Sequence, residues 1–364
     1  MSPFPKKLDM YLMRKFIVSF SVALILIIGI VIIFDISEKI DYFVQKQAPL
    51  HGIIFDYYMN FIPYFVNMFS PLFVFITVIF FTSRLTANSE FVAMLSCGIS
   101  YHRLMVPYLV SATLIAALSL TLNLFVIPHA NETRLEFEKQ YGRTQKVVQE
   151  RNIHYKLEGG HYVYVETFSK WNNTAYKFTL EDFEENRLVS KLSAESARWD
   201  SLGRCWSLKN YTIRNYSVRG ISDRVKNGKS LDTTLSLTIE DFYRNKNTVE
   251  MLSWSDLNAL ITAQRERGDS MVMYAEIEKH NRLALPFSAF VLTIIGVSLS
   301  TKKRRGGTGW NIAVGIALSF SYILFMRFSQ MFVFTDTLPP WIALWIPNML
   351  FAIIAAILYK IAPK

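Results

Sequence analysis

Cysteine is nearly absent: Cys97 and Cys205 are the only two in 364 residues. Cys97 falls between two long apolar runs and Cys205 in a polar central region, so no disulfide framework is expected. The six histidines show no metal-ligand spacing. A phosphate-binding loop is missing as well. Gly228-Lys229-Ser230 copies the end of one, but residue 223 is Asp where a glycine is required. The chain is therefore expected to carry no ATPase, no metal and no cofactor of its own. No A-x-A-like cleavage site follows the first apolar run, which reads as an anchor and not as a removable signal. No internal repeat stands out. Nor is there a paired Asp, a His–Glu set or a Ser–Lys pair at membrane depth, which argues against an intramembrane lipid enzyme. Asn172-Asn173-Thr174 and Asn210-Tyr211-Thr212 fit the glycosylation pattern, but so short a pattern has a high chance rate.

What the chain has in abundance is apolar sequence. It is 51% hydrophobic and 15% aromatic, with a formal charge of +10. Crossing a hydrocarbon core of roughly 30 Å takes about 20 apolar residues in a helix. The segments Phe16–Phe34, Ile53–Thr82, Leu104–Ile127, Leu283–Ser300, Ile312–Phe334 and Trp341–Tyr359 qualify. The cations cluster at the ends of these runs, which is a topological signature and not a nucleic-acid face. Lys302-Lys303-Arg304-Arg305 separates the fourth run from the fifth. Short basic loops stay in the cytoplasm, so this tetrad sets the orientation. Lys6, Lys7, Arg14 and Lys15, then Arg84 and Arg103, then Lys360 and Lys364 fall on the same side if there are six spans. Both termini are then expected in the cytoplasm.

Between the third and fourth runs lies a polar insert, expected outside the cytoplasm. It reads as β. The run His161–Glu166 follows Gly159-Gly160, and further short runs follow at Tyr176–Leu180, Leu188–Leu192, Ala197–Trp199, Trp206–Leu208, Tyr211–Tyr216 and Thr234–Ile239. Asn, Asp and Gly clusters punctuate them, which suggests a sandwich or jellyroll. Ser255–Arg267 reads as a helix capped by Ser255 and stopped by Gly268. The expected fold class is an α-helical membrane protein with six transmembrane helices (3+3) and an inserted extracytoplasmic β-jellyroll-like domain. Its divisions are 1–130, with a short cytoplasmic helix over 86–98, then 131–275 and 276–364.

Pro63 and Pro71 interrupt the second run; they fit either bundle geometry or a hinge in a moving helix. After this run, Arg84 is followed by Asn88-Ser89-Glu90, and then by Phe91, Val92, Met94 and Leu95, which would give a short helix its apolar face. Asn88 or Ser89 can cap a short helix, Glu90 suits its first turn, and Gly98 ends it. Surface-lying membrane helices are normally rich in Lys and Arg. An acidic one with small residues is better suited to docking a basic groove on a partner. Arg327 and Gln330 share one face of the fifth run. An intramembrane arginine costs about 2.5 kcal/mol or more near the bilayer centre, so it faces a cavity or a partner, snorkels toward the outer interface, or pairs with a counter-ion such as Asp35 or Asp336. Arg134 lies just past the third run, within the charged stretch Glu132–Lys139, and reads as part of a solvated face.

The stretch Ser89-Glu90-Phe91-Val92-Ala93-Met94-x3-Gly98 resembles the coupling helix of the lipopolysaccharide export permeases, the paired membrane subunits of an ABC-type exporter. Other segments agree in order: Leu8-Asp9-x-Tyr11, Ile127-Pro128 followed by Asn131, Glu276-x5-Arg282-x-Ala284-x-Pro286, Pro339-Pro340-Trp341 and Pro347-Asn348. The resemblance implies a non-catalytic subunit that pairs with a second six-span permease and with a cytoplasmic ABC ATPase. It implies extraction of lipopolysaccharide from the outer leaflet of the bacterial inner membrane and transfer to a periplasmic jellyroll carrier. Glu90, Phe91, Met94 and Arg84 would couple to the ATPase. In one of the two paralogues, lysines at the outer end of the first span are thought to meet lipid phosphates. Here that region reads Phe34-Asp-Ile-Ser-Glu-Lys39-Ile-Asp41, which leaves the paralogue open. Lys39, Lys46, Arg134, Arg327 and Gln330 are the candidate substrate contacts. The strand His161–Glu166 is the candidate edge for a periplasmic partner. The competing reading is a membrane-anchored receptor or scaffold, which needs neither an acidic coupling helix nor an intramembrane Arg/Gln pair.

Overall fold

A computed structural model describes residues 7–142, 151–157, 160–184, 187–201, 203–216, 224–235, 237–239, 242, 246–269, 271–301, 307–335 and 337–362. The basic tetrad 302–305 and Asp336 lie outside the described residues. Helices in chain order are α1 (Lys7–Gln45), α2 (Gly52–Ala87), α3 (Glu90–Ser96), α4 (Tyr101–Tyr141), α5 (Lys246–Glu250), α6 (Trp254–Glu266), α7 (Val272–Ser300), α8 (Gly307–Phe334) and α9 (Pro340–Ile361). Six of them, α1, α2, α4, α7, α8 and α9, are long and apolar enough to cross a membrane. The chain divides into two compact units: a helical one (1–143, 250–254 and 276–364) and a β-rich one (144–249 and 255–275).

The spans run longer than their apolar runs because the helix continues past the hydrocarbon. At 39 residues, α1 rises roughly 58 Å, about twice the thickness of a hydrocarbon core. The third span likewise continues as helix to Tyr141. Pro63 and Pro71 sit inside a continuous stretch of α2, Met59–Ala87. One aromatic and aliphatic core joins Leu12, Phe16 and Phe20 of α1 to Phe81 and Leu85 of α2 and Tyr108 of α4. A second joins Phe75 and Ile79 of α2 to Leu292 and Ile295 of α7, Tyr322 of α8 and Phe351 of α9.

Proline leaves a carbonyl without its helical donor four residues earlier, and in a bilayer no water replaces it. Pro286 of α7 frees the Arg282 carbonyl, and Asn123 Nδ2 of α4 donates to it at 3.3 Å. Asn123 lies in a π-helical turn, Leu122–Val126, where its side chain is buried. Its Oδ1 accepts from Asn67 Nδ2 of α2 at 2.6 Å, and Asn67 Oδ1 accepts from Ser119 at 2.5 Å. Pro347 of α9 frees the Ala343 carbonyl, which accepts from the Ser329 hydroxyl of α8. Asn348 donates to the Ala284 carbonyl at 2.8 Å while its Oδ1 accepts from Tyr322 at 2.8 Å. At Pro286 and Pro347, one helix thus completes the hydrogen bonding of another.

The β-rich unit holds an antiparallel six-stranded sheet in sequential order, the jellyroll-like insert expected from the sequence. Its strands are β1 (Arg151–Lys156), β2 (His161–Ser169), β3 (Thr174–Glu184), β4 (Arg187–Asp200), β5 (Cys205–Asn215) and β6 (Arg224–Thr233). The runs Leu188–Leu192 and Ala197–Trp199 belong to one strand, as do Trp206–Leu208 and Tyr211–Tyr216 as far as Asn215. Both edge strands escaped the sequence reading: β1 and β6 are polar, as edge strands exposed to water tend to be. Among the described residues of Thr234–Ile239 the expected strand does not form. That segment instead covers the sheet: Leu237 and Phe242 are buried, Phe242 stacks on Phe168 at 4.3 Å, and the Leu237 carbonyl accepts from Trp206 Nε1 at 2.8 Å. Nor is β2 an edge, because it pairs with β1 on one side and β3 on the other. Gly228 is opposite Tyr211 in the ladder, and a Cβ there would come within 2.5 Å of the tyrosine ring. The glycine of the apparent phosphate loop is explained by that close approach.

Ser329→Ala should leave the Ala343 carbonyl without its donor, at a cost of about 0.6–1.7 kcal/mol. The expected outcome is a lower thermal unfolding midpoint in detergent, with Ser329→Thr close to wild type. An unchanged midpoint for the alanine variant would refute this role for the hydroxyl.

Candidate functional site

One end of the helical unit gathers the start of α1, the end of α2, α3, the start of α4 and the end of α9. Asp9 of α1 pairs with Arg103 of α4 at 2.5 Å, and His102 of α4 bonds Tyr359 of α9 at 2.8 Å. The short helix α3 follows α2 through Ser89, which adopts a left-handed conformation (φ 61°) and makes no side-chain cap bond. The cap expected from the Asn88 or Ser89 side chain does not form; the Ser89 carbonyl accepts from Ala93 N at 2.9 Å instead. Gly98 closes the helix as expected, at φ 82° with its N–H on the Leu95 carbonyl at 2.9 Å.

The faces of α3 are unequal. Phe91 is fully buried in the helical core against Tyr101, with Met94 and Leu95 packed beside it. Val92, read as part of the apolar face, points the other way and is exposed, as are Ala93 and Ser96. Residue spacing explains the difference, since positions 91, 94 and 95 share a stripe that 92 does not. Phe91 therefore seats α3, while Glu90, Val92 and Ala93 form what a partner could meet. Glu90 is held in place: Tyr11 Oη donates to Oε2 at 2.9 Å, and Asn88 Nδ2 reaches Oε1 at 3.4 Å. Arg84, near the end of α2, is exposed.

The opposite end holds the other candidates. Lys39 pairs with Asp35 at 3.1 Å and Glu138 at 3.1 Å, and it also donates to the Tyr57 hydroxyl. Tyr57 and Tyr58 donate to Asp35 at 3.3 and 3.1 Å. Lys46 donates to the Gly142 carbonyl at 2.7 Å. Both lysines thus tie the end of α1 to α2 or α4. Arg134 does not lie on a solvated face. It is 8% exposed, with its guanidinium over the Tyr64 ring at 4.6 Å. The signal was present in the helix period: Ile127, Ala130, Asn131, Arg134 and Leu135 form the buried stripe of α4, whereas Glu132 and Glu136 are exposed. Arg134 Nε has no hydrogen-bond partner among the described residues.

Arg327 is exposed on α8 and Gln330 is half-buried one turn on. Asp35 is engaged with Lys39, Tyr57 and Tyr58. Among the described residues, no carboxylate pairs with Arg327. Tyr64 of α2 is the residue that receives the Arg134 guanidinium. Nothing in the sequence marked Tyr64, whose contact with an arginine of another helix exists only in the fold.

No curated protein matches the chain significantly. A family profile does, described as lipopolysaccharide export system permease LptF/LptG, over residues 10–361. That match takes in the spans, α3 and the inserted sheet together, and the chain belongs to the LptF/LptG family of lipopolysaccharide export permeases.

Proposed function

We propose that this chain is the non-catalytic membrane subunit of an ATP-driven exporter, with ATP bound by a separate cytoplasmic ABC ATPase and a second six-span permease completing the transmembrane cavity. The observation that carries this reading is α3: a short acidic helix at the end of the bundle, seated by Phe91 and presenting Glu90, Val92 and Ala93. An anchor for a receptor needs no such element. Both termini are assigned to the cytoplasm of the bacterium and the β-rich unit to the periplasm, from the basic residues flanking the spans. The chain extracts lipopolysaccharide from the outer leaflet of the inner membrane and hands it to a periplasmic jellyroll carrier. Affinity isolation from membranes in mild detergent should recover an ABC ATPase and a second six-span subunit; recovery of neither would overturn the reading.

Glu90→Ala removes a charge that docking would partly desolvate, a loss of about 2–5 kcal/mol if its partner cation stays buried. ATPase recovery should fall sharply while the chain still inserts. Undiminished recovery would remove the assignment.

For the substrate, Arg327 with Gln330 is the primary contact, since an exposed arginine on a span needs an anionic or aqueous partner and the glycolipid supplies phosphates. Arg327→Ala should lower lipid release at normal complex yield, and Arg327→Lys should keep part of the activity, retaining charge but losing bidentate geometry. Arg134→Ala should instead lower yield, because it removes a desolvated cation–π contact of about 2 kcal/mol. Normal release with Arg327→Ala would reject the contact.

Transfer to the carrier is assigned to an open sheet edge, which can take a partner strand. The edges are β1 and β6, and Val225 of β6 is 51% exposed. A photo-reactive residue at 225 should capture the carrier, whereas one at Tyr164 of the interior strand β2 should not. Equal capture at both positions would argue against edge pairing.

A further inference from the structure

At the end of the helical unit that bears α3, a cleft of about 550 Å³ opens between α1 and α2. Arg14, Lys15 and Val18 line it from α1, and Phe80 and Arg84 from α2. Glu90 is the one carboxylate in the lining. Its oxygens already accept from Tyr11 and Asn88, and Lys15 is drawn to the Tyr11 hydroxyl and ring. Arg14 and Arg84 are exposed and pair with no carboxylate among the described residues. The cleft therefore holds two uncommitted guanidinium groups.

The two walls change character in the same direction. Arg14 and Val18 are four residues apart on α1, as are Arg84 and Phe80 on α2, so each apolar group lies about 6 Å along the axis from its cation. The helices run antiparallel, so both steps lead from the chain-end side of the bundle toward its middle. Val18 is 53% exposed and Phe80 49%, although both belong to spans. A soluble anion would use the cations and leave the apolar half unfilled. A lipid with an anionic headgroup matches both halves, with its phosphate between Arg14 and Arg84 and its acyl chain along Val18 and Phe80.

The geometry points to a binding site for one anionic phospholipid in this cleft, separate from Arg134 and Arg327. Its assignment to the cytoplasmic leaflet rests on the proposed orientation; the site itself does not. Native mass spectrometry of the purified full chain in detergent tests it, with added phosphatidylglycerol or phosphatidylcholine. Wild type should retain one phosphatidylglycerol per chain in preference to phosphatidylcholine. Arg14→Gln with Arg84→Gln should weaken that retention about thirtyfold. Val18→Trp, which fills the apolar half and leaves every charge in place, should weaken it as well, so the test survives if the double variant misfolds. Unchanged retention in either variant would overturn the proposal. So would displacement of the lipid by millimolar inorganic phosphate, which would mark a free-anion site. Capture of a protein instead of phospholipid by a photo-reactive residue at position 18 in membranes would overturn it too. None of these readouts depends on ATPase docking or lipopolysaccharide release.

Discussion

A peptide carbonyl inside a bilayer must find its donor within the protein, and two proline sites of the helical unit show neighbouring spans supplying one. Pro286 and Pro347 each free a carbonyl, and in each case a polar side chain from a neighbouring span supplies the hydrogen bond. Asn123 does so while also bonding Asn67 and, through it, Ser119. Asn348 bridges Tyr322 and the Ala284 carbonyl. These bonds are directional in a way that packed Phe and Leu side chains are not. They specify which helix faces which and at what height, while the aromatic and aliphatic cores fill the space between the helices.

With that arrangement in place, the arginines fall into distinct classes. Arg282 is 2% exposed and paired with Glu278 at 2.8 Å, and it donates to the Leu252 carbonyl at 3.0 Å. Arg134 is buried over Tyr64. Removing either leaves a hole or an unpaired carboxylate, which is a structural injury. Arg327 is different because it is exposed and has no described carboxylate partner. A charge at that position is costly unless something outside the chain solvates it. The same contrast appears at the other end, where Asp9 with Arg103 and Tyr11 with Glu90 hold the framework while Arg14 and Arg84 remain available.

The six spans, the β insert between them and the short acidic helix were all legible in the residues, because each rests on a local rule. A run of about 20 apolar residues reports a span wherever it occurs, and Gly98 reports a helix end through its own backbone freedom. Local rules were weaker where a strand is only half-covered. The polar edge strands β1 and β6 carry no alternation to read, and Thr234–Ile239 resembled a strand although its Leu237, with Phe242 beyond it, covers Trp206 and Phe168.

Composition and periodicity by themselves determined the number of spans, their expected orientation and the presence of α3, with Glu90 in its first turn and Gly98 at its end, since these depend on what neighbours in sequence share. Partnership between distant residues was decided only by the tertiary structure. Lys39 and Lys46 read as candidate substrate contacts, yet each finds acceptors close to 100 residues away in Glu138 and the Gly142 carbonyl. Arg134 read as solvated but stacks on a tyrosine of another helix. The physical reason is that a charge's role is set by the groups that desolvate or neutralise it, and packing brings those groups from other parts of the chain.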